Sequence, residues 1–430
     1  MFMRKKKTFL LNSPFVFKKK LLFFLNKKSR FCFLDTNNST DKYSSFDYLA
    51  AFGVKKKCNP KKNIFKVFQS FLDKNKDWVF GHFSYDLKND LENLKSENHD
   101  FFHFEKLNFF IPYYIFIIKN KKLTVIYDDS KNDIKSIYNK ILNQKITLIN
   151  DSKFSVKPAI SKKKYLSKVE AIKNHIQQGD IYEMNFCQEF RVNFNHFNPS
   201  QLFLKLNNYA KSPFSSYYKL NNKYCLCSSP ERYIKKDNSK IISQPIKGTE
   251  SRSKLKNIDN KNKKFLMESE KDFSENVMIV DLVRNDLSIT AKKNSVKVEE
   301  LAKVYSYKNV HHLISTITSE INLKSHPLDV IKYSFPMGSM TGAPKIQSME
   351  LIEKYESVKR GLYSGSIGYF TPTLDFDFNV VIRSLLYNKK SNYLSFIVGG
   401  AITIESDPNK EYEECLTKGK SILNILSNGR

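Results

Sequence analysis

Arginine is scarce in this sequence. Nine of the 72 basic residues are arginine, which leaves 63 lysines under a formal net charge of +29. Proteins that bind nucleic acid favour arginine, whose planar fork makes bidentate contacts with phosphates and base edges. The lysines are scattered along the whole chain rather than gathered on one element. Lysine, asparagine, phenylalanine, isoleucine and tyrosine are inflated together, and these are the residues of A/T-rich codons. A solvated lysine-rich surface accounts for the charge, and a basic nucleic-acid-binding protein is the disfavoured reading from another functional class. Cysteine is also sparse, at six residues with no paired framework, which fits a reducing cytoplasm. Cys225 and Cys227 lie in a strand-like run with no second pair nearby, which argues against a zinc site. Long hydrophobic runs are missing too. The stretches 21–25 and 109–118 are too short or too interrupted to span a bilayer. Lys18–Lys20 break the N-terminal apolar stretch, and no small-residue cleavage site follows, so no signal peptide is expected. Neither nucleic acid nor membrane is an expected partner.

What is present is a globular composition, 41% hydrophobic and 14% aromatic over 430 residues, enough for one large core or a few smaller ones. Short strands are expected at 15–17 and 31–34, a helix at 67–72 and a strand at 78–85. Residues 109–118 and 123–127 read as paired strands, and 128–157 as a surface helix plus linker. The pattern changes at Ser161. Tyr165, Val169, Ile172 and Ile176 form the apolar stripe of a helix over 161–178, ended by Gly179. Strands follow at 181–192, 217–227 and 241–246, and helices begin near Ser269, Thr341 and Asp407. No internal repeat is visible.

Two of those helices carry paired carboxylates. Asp272 and Glu275 stand three apart near the start of one, above a stripe expected to bury Phe273, Val277, Val280 and Leu287. A capping box from Ser269 to Asp272 explains Asp272 but leaves Glu275 free. In the last helix Asp407 is placed to cap, Pro408 opens the first turn, and Glu411 and Glu414 repeat the spacing. Two such pairs facing each other suit one hard cation, although each pair alone also suits a solvated helix face. The segment 338–345, Gly-Ser-Met-Thr-Gly-Ala-Pro-Lys, lacks the ending of a phosphate loop. A glycine loop entering a helix still offers free N–H groups to an anion, a small carboxylate included.

Several motifs then occur in one order: 229–232 (Ser-Pro-Glu-Arg), 245–249 (Pro-Ile-Lys-Gly-Thr), 275–286, 312–315, 338–345 and 382–383. Together they resemble the large subunits of anthranilate synthase and aminodeoxychorismate synthase and, more distantly, isochorismate and salicylate synthases. The resemblance covers residues from about 160 to the end and is loose before 150, mainly at 81–86. It implies an α+β fold, two large antiparallel sheets packed as a sandwich with helices outside. It divides the chain into a variable N-terminal region, 1–155, and a chorismate-binding catalytic domain, 156–430. It also implies magnesium bound by Glu275 and Glu414, with Asp272 and Glu411 supporting through water, holding and polarising the ring carboxylate of chorismate. Arg383 is expected to grip the enolpyruvyl carboxylate, and a Gly399–Gly400 turn and the Thr341–Gly342 loop to donate N–H groups. Thr249 and Lys345 join the substrate-binding set through their motifs, and His312 is expected over the ring.

Within this family Lys247 points to amination at C4, because anthranilate synthases commonly carry alanine there. A lysine amine attacking C2 expels the C4 hydroxyl, with Glu231 as its acid, and ammonia then takes C4 and expels the lysine. That role expects a partly neutral Lys247. Glu183 stands where water-using relatives have a lysine base and amine-using ones more usually glutamine. Ala401 replaces a common glycine. The implied activity is that of a component I making 4-amino-4-deoxychorismate, a precursor of para-aminobenzoate and folate. Anthranilate synthase component I is the alternative. No glutaminase nucleophile motif is visible, so ammonia is expected from a separate glutamine amidotransferase subunit, and no C-terminal lyase domain fits the length.

Overall fold

The computed structural model describes residues 4–39, 41–128, 130, 133–149 and 153–427. One long strand organises it. Leu107–Lys119 is apolar on both faces and buried along most of its length, the pattern of a strand covered on both sides. Along one edge it pairs with Tyr48–Cys58. Along the other it pairs first with Val79–Phe83 and then with Lys122–Tyr127. Two antiparallel layers diverge from this strand. The first continues from Tyr48–Cys58 through Arg30–Asp35, Phe214–Leu220, Lys223–Ser229, Ser384–Asn388 and Tyr393–Ile402 to Glu183–Asn193. The second runs from Val79–Phe83 through Ser366–Phe370, Phe376–Asn379, Arg232–Asp237 and Lys240–Gln244 to Val310–Glu320. Ile246–Ser251 and Lys297–Ser306 flank that last strand.

Side chains alternate across the first layer, so each strand feeds two cores. Cys32 and Leu34 face inward and share a cluster with Phe80, Phe83, Phe370 and Phe378 of the second layer. Phe31 and Phe33 face the other way, into a cluster completed by the helices Pro14–Asn26, Lys162–Gln177, Pro199–Ala210 and Pro408–Ser427. This is the expected α+β sandwich with helices outside. The first 155 residues and the remainder share both layers, since Arg30–Asp35 pairs with Phe214–Leu220 and Val79–Phe83 with Ser366–Phe370. All six cysteines are buried and free, and no described helix is long and apolar enough to cross a membrane.

Three local expectations are corrected. Residues 15–17 belong to the helix Pro14–Asn26: the Ser13 side chain accepts from Val16 N and Pro14 opens the first turn. Its buried Phe17, Leu21, Leu22 and Leu25 recur at helical spacing. Residues 217–227 are two strands rather than one, turning at Asn221, whose φ of 56° suits asparagine. The helix expected near Thr341 begins at Lys345, behind Pro344.

Candidate active site

The helix Glu270–Ser288 starts as its sequence requires, with the Ser269 hydroxyl accepting from Asp272 N at 3.2 Å. Its buried face is rotated from the expected stripe. Phe273 is exposed and Val277 half-buried, while Glu275, Asn276, Ile279, Val280, Val283 and Leu287 face the protein. The Ser315 hydroxyl donates to Asn276, which fixes the helix on strand Val310–Glu320. Glu275 is thereby carried inward. The helix Pro408–Ser427 is capped by Asp407, which accepts from Lys410 N at 2.9 Å. It turns Glu411 into the interior at 1% exposure, where Oε1 accepts from Ser406 Oγ at 2.7 Å. A Cβ placed on Gly400 would stand 3.2 Å from Glu414 Oε1 and 3.3 Å from Glu411 Oε2, so both carboxylates lie against that strand. The two helices do face each other: Lys271 Nζ lies 2.9 Å from Glu411 Oε1 and 3.8 Å from Glu275 Oε1. Asp272 packs instead against Gly248, its Cγ 3.1 Å from a Cβ built there.

Lys247 lies buried at the centre. Its Nζ is 2.5 Å from Glu183 Oε1 and 3.8 Å from Glu275 Oε2. Burial disfavours its charge, but the carboxylates of Glu183 and Glu275 outweigh burial and raise its pKa above the ordinary lysine value. The expectation of a partly neutral Lys247 is therefore not met in the resting protein. It is an ammonium held by two carboxylates. Burial pushes Glu275 up to about 7, against the pull of Lys247.

Glu231, which feels the charge of Lys247, is buried, and Ser339 Oγ donates to its Oε1 at 2.7 Å. Burial, only partly offset by that bond, pushes Glu231 up to about 7. His312 pairs Nδ1 with Thr249 Oγ1 at 2.8 Å and leaves Nε2 buried without a partner. Burial first, and then the nearby Arg383, lower it to about 3, so the ring is neutral at neutral pH. Arg383 holds a left-handed φ of 52°, a conformation that costs free energy in a side-chain-bearing residue. It has no ion-pair partner among the described residues. A half-buried cation without an ion-pair partner among the described residues, beside a neutral imidazole, is suited to an anionic ligand.

The sequence profile described as chorismate binding enzyme matches residues 19–424. The chain belongs to the chorismate-binding enzymes. It is 38% identical over 267 residues to aminodeoxychorismate synthase component 1 of Escherichia coli (strain K12), a match spanning 62% of this chain and 58% of that protein. It is 30% identical over 369 residues to anthranilate synthase component 1 of Acetivibrio thermocellus, across 80% of this chain and 74% of that one. The solved menaquinone-specific isochorismate synthase from Escherichia coli shares the fold, with a TM-score of 0.79 and 17% identity, covering 99% of this chain and 95% of that one.

In this chorismate-binding enzyme the remaining sequence-derived residues fall in two groups. Gly399 and Gly400 lie within strand Tyr393–Ile402, opposite Cys187 and Phe186, rather than in a turn. Their value is close approach, since a Cβ on Gly399 would come within 2.3 Å of Phe186 O. Ala401 is the buried neighbour in the same strand. Gly342 bridges to Met184 at a φ of 149°, where a Cβ would meet Glu183 O at 2.1 Å. The Thr341 N–H is already bonded, donating to Gly338 O at 3.1 Å. Lys345 is drawn away from this cluster, its ammonium 2.6 Å from Asp286 Oδ2.

Chorismate-binding enzymes generally use magnesium. The donor chemistry fits, because hard carboxylate oxygens from two helices converge and Glu411 Oε2 is buried without a hydrogen-bond partner. Among the described residues no three acidic, histidine or cysteine side chains are gathered as a ready cage. Ammonium groups stand between them. Two of these, Lys271 and Lys418, escaped the sequence reading; Lys418 pairs with Glu414 at 2.6 Å and donates to Gly399 O at 3.0 Å. Each sits four residues from a site glutamate on the same helix, the spacing that brings side chains together, and that signal was available. Ser339 lies inside the 338–345 motif but has no type-specific signal of its own.

Proposed function

We propose that this chain is the chorismate-aminating component of an aminodeoxychorismate synthase. In this reading it converts chorismate and ammonia to 4-amino-4-deoxychorismate, on the route to para-aminobenzoate and folate in the cytoplasm. A separate glutamine amidotransferase subunit supplies the ammonia. The observation that carries the reading is Lys247, buried within reach of Glu183 and Glu275 and close enough to the protonatable Glu231 to influence its charge. The 38% identity to an aminodeoxychorismate synthase supports it. The longer alignment with anthranilate synthase component 1 favours the second reading, amination at C2.

The chain's own groups account for the chemistry as follows. Arg383 receives the enolpyruvyl carboxylate, and His312 Nε2 faces the ring as a neutral polar group. Glu275 and Glu414, with Asp272 and Glu411 in support, would hold magnesium, which when bound would supply positive charge to the ring carboxylate. Lys247 passes its proton to Glu231 and attacks C2 as the neutral amine. Both conjugated ring double bonds shift, and the C4 hydroxyl leaves as water with the proton of Glu231. Ammonia then bonds to C4, both double bonds shift back, the C2–nitrogen bond to Lys247 breaks to return its neutral amine, and Glu231 takes the proton released by the new amine. Glu183 keeps Lys247 aimed until substrate arrives.

Lys247→Ala and Lys247→Arg, assayed with chorismate, magnesium and ammonium, test this role. Lys247→Ala should lose most 4-amino product and shift the remainder toward the 2-amino product. Lys247→Arg should make no 4-amino product, since guanidinium stays protonated. Undiminished 4-amination by the arginine variant would remove the nucleophile from the scheme.

A further inference from the structure

Lys271 does not enter the scheme above, yet it occupies the middle of the carboxylate cluster. It lies on the first turn of Glu270–Ser288, and its ammonium spans the gap to the other helix, 2.9 Å from Glu411 Oε1 and 3.8 Å from Glu275 Oε1. Glu411 is 1% exposed, and its second oxygen has no partner. The Lys271 side chain is 38% exposed. One end of the ion pair is fixed in the interior, and the other is a flexible stem with a route to solvent. The remaining charges at this point are Lys247, on the far oxygen of Glu275, and Lys418, on Glu414.

We propose that Lys271 is a displaceable resident cation. In the resting protein its ammonium neutralises Glu275 and Glu411 and holds the two helices together. A divalent cation binds by expelling it toward solvent, so Lys271 sets the metal affinity and governs when the site is charged. This rests on the reading that these carboxylates hold the metal. Three features support displacement over a permanent brace. The ammonium bridges the two oxygen-bearing helices that a divalent cation would bridge. An ammonium and a divalent cation cannot share two carboxylates at hydrogen-bonding distance without repulsion. The partial exposure lets the lysine leave without unfolding the helix, whereas Lys247 and Lys418 are held by further buried partners. The expelled ammonium remains protonated and paired with water, so no proton need be released.

The test is direct metal binding without substrate. Chelator-cleared full-length chain is titrated with Mn²⁺, followed by the free-ion electron paramagnetic resonance signal and by calorimetry. Lys271→Met and Lys271→Gln should each bind Mn²⁺ about tenfold more tightly than the parent, because a tethered competitor at high effective concentration is gone. Both should melt earlier than the parent without metal and recover when metal is added. Lys271→Arg, which keeps the charge, should not bind more tightly. Equal or weaker binding by the methionine and glutamine variants, in a parent that binds Mn²⁺, would overturn the resident-cation role and leave the metal reading intact. Tightening by the arginine variant to the same degree would also overturn it. No binding by the parent or any variant would remove both the metal reading and this one.

Discussion

Lys247 and Glu231 define an unusual protonation problem. In the proposed mechanism the productive state needs a neutral amine on Lys247 and a proton on Glu231, yet the resting state is the reverse. Carboxylates hold Lys247 charged, and Glu231 titrates at about 7. Both states carry a single shared proton count, so they interconvert without exchange with solvent. The dependence of kcat/KM on pH should therefore be a bell. It should rise through about pH 7 as the doubly protonated pair loses a proton, and fall only above the raised pKa of Lys247. Removing the Glu183 charge lowers the lysine pKa. Glu183→Gln should then move the alkaline limb to lower pH while leaving the limb near 7 in place. A pH–rate series on the two proteins checks this, and an alkaline limb that does not move would dissociate Glu183 from Lys247. These two residues were legible in the sequence because their motifs are contiguous. The charge of Lys247 was not, because Glu183 reaches it across 64 positions and Glu275 from another helix. Arg383 was recognisable as a rare arginine in a lysine-rich chain, but its left-handed backbone was not.

At the level of elements, the site depends on a strand that accepts close neighbours on both faces. Gly399 and Gly400 are adjacent but not equivalent. A methyl group on Gly399 meets the backbone of Phe186 and Cys187, which cannot yield without moving the strand. A methyl group on Gly400 meets only the carboxylate ends of Glu411 and Glu414 and the ammonium of Lys418, which can. Gly399→Ala should cost about 1–3 kcal/mol of stability as overpacking. Gly400→Ala should melt close to the parent but require more magnesium for activity. Thermal denaturation and a magnesium titration of activity separate the two, and equal melting temperatures would contradict the packing assignment. Element types read well from sequence where periodicity was long, as in 161–178 and in the paired strands 109–118 and 123–127. They failed where propensity was overridden locally. The Phe-Val-Phe run at 15–17 is β-prone, yet Ser13 and Pro14 start a helix that buries it. The rotation of Glu270–Ser288, which exposes Phe273 and buries Glu275, is held by the Asn276–Ser315 hydrogen bond, whose partner 39 positions away is invisible to a periodicity count.

For the whole molecule, the sandwich of two antiparallel layers was implied by the family resemblance rather than by composition. The continuity of both layers through Leu107–Lys119 was not implied at all. Strand order of this kind depends on pairings between distant segments, such as Arg30–Asp35 with Phe214–Leu220, that leave no local mark. The strands of the first 120 residues join the two layers, and the strands that carry the proposed site lie toward the far ends, so the site is a property of the entire fold. Its output is best judged by product. Purified chain should be incubated with chorismate and magnesium, with either ammonium at alkaline pH or glutamine, and the products identified by mass spectrometry. The account predicts 4-amino-4-deoxychorismate with ammonium, none with glutamine alone, and none with ammonium once a chelator is present. Anthranilate or isochorismate as the main product, or robust turnover of glutamine by the single chain, would contradict it.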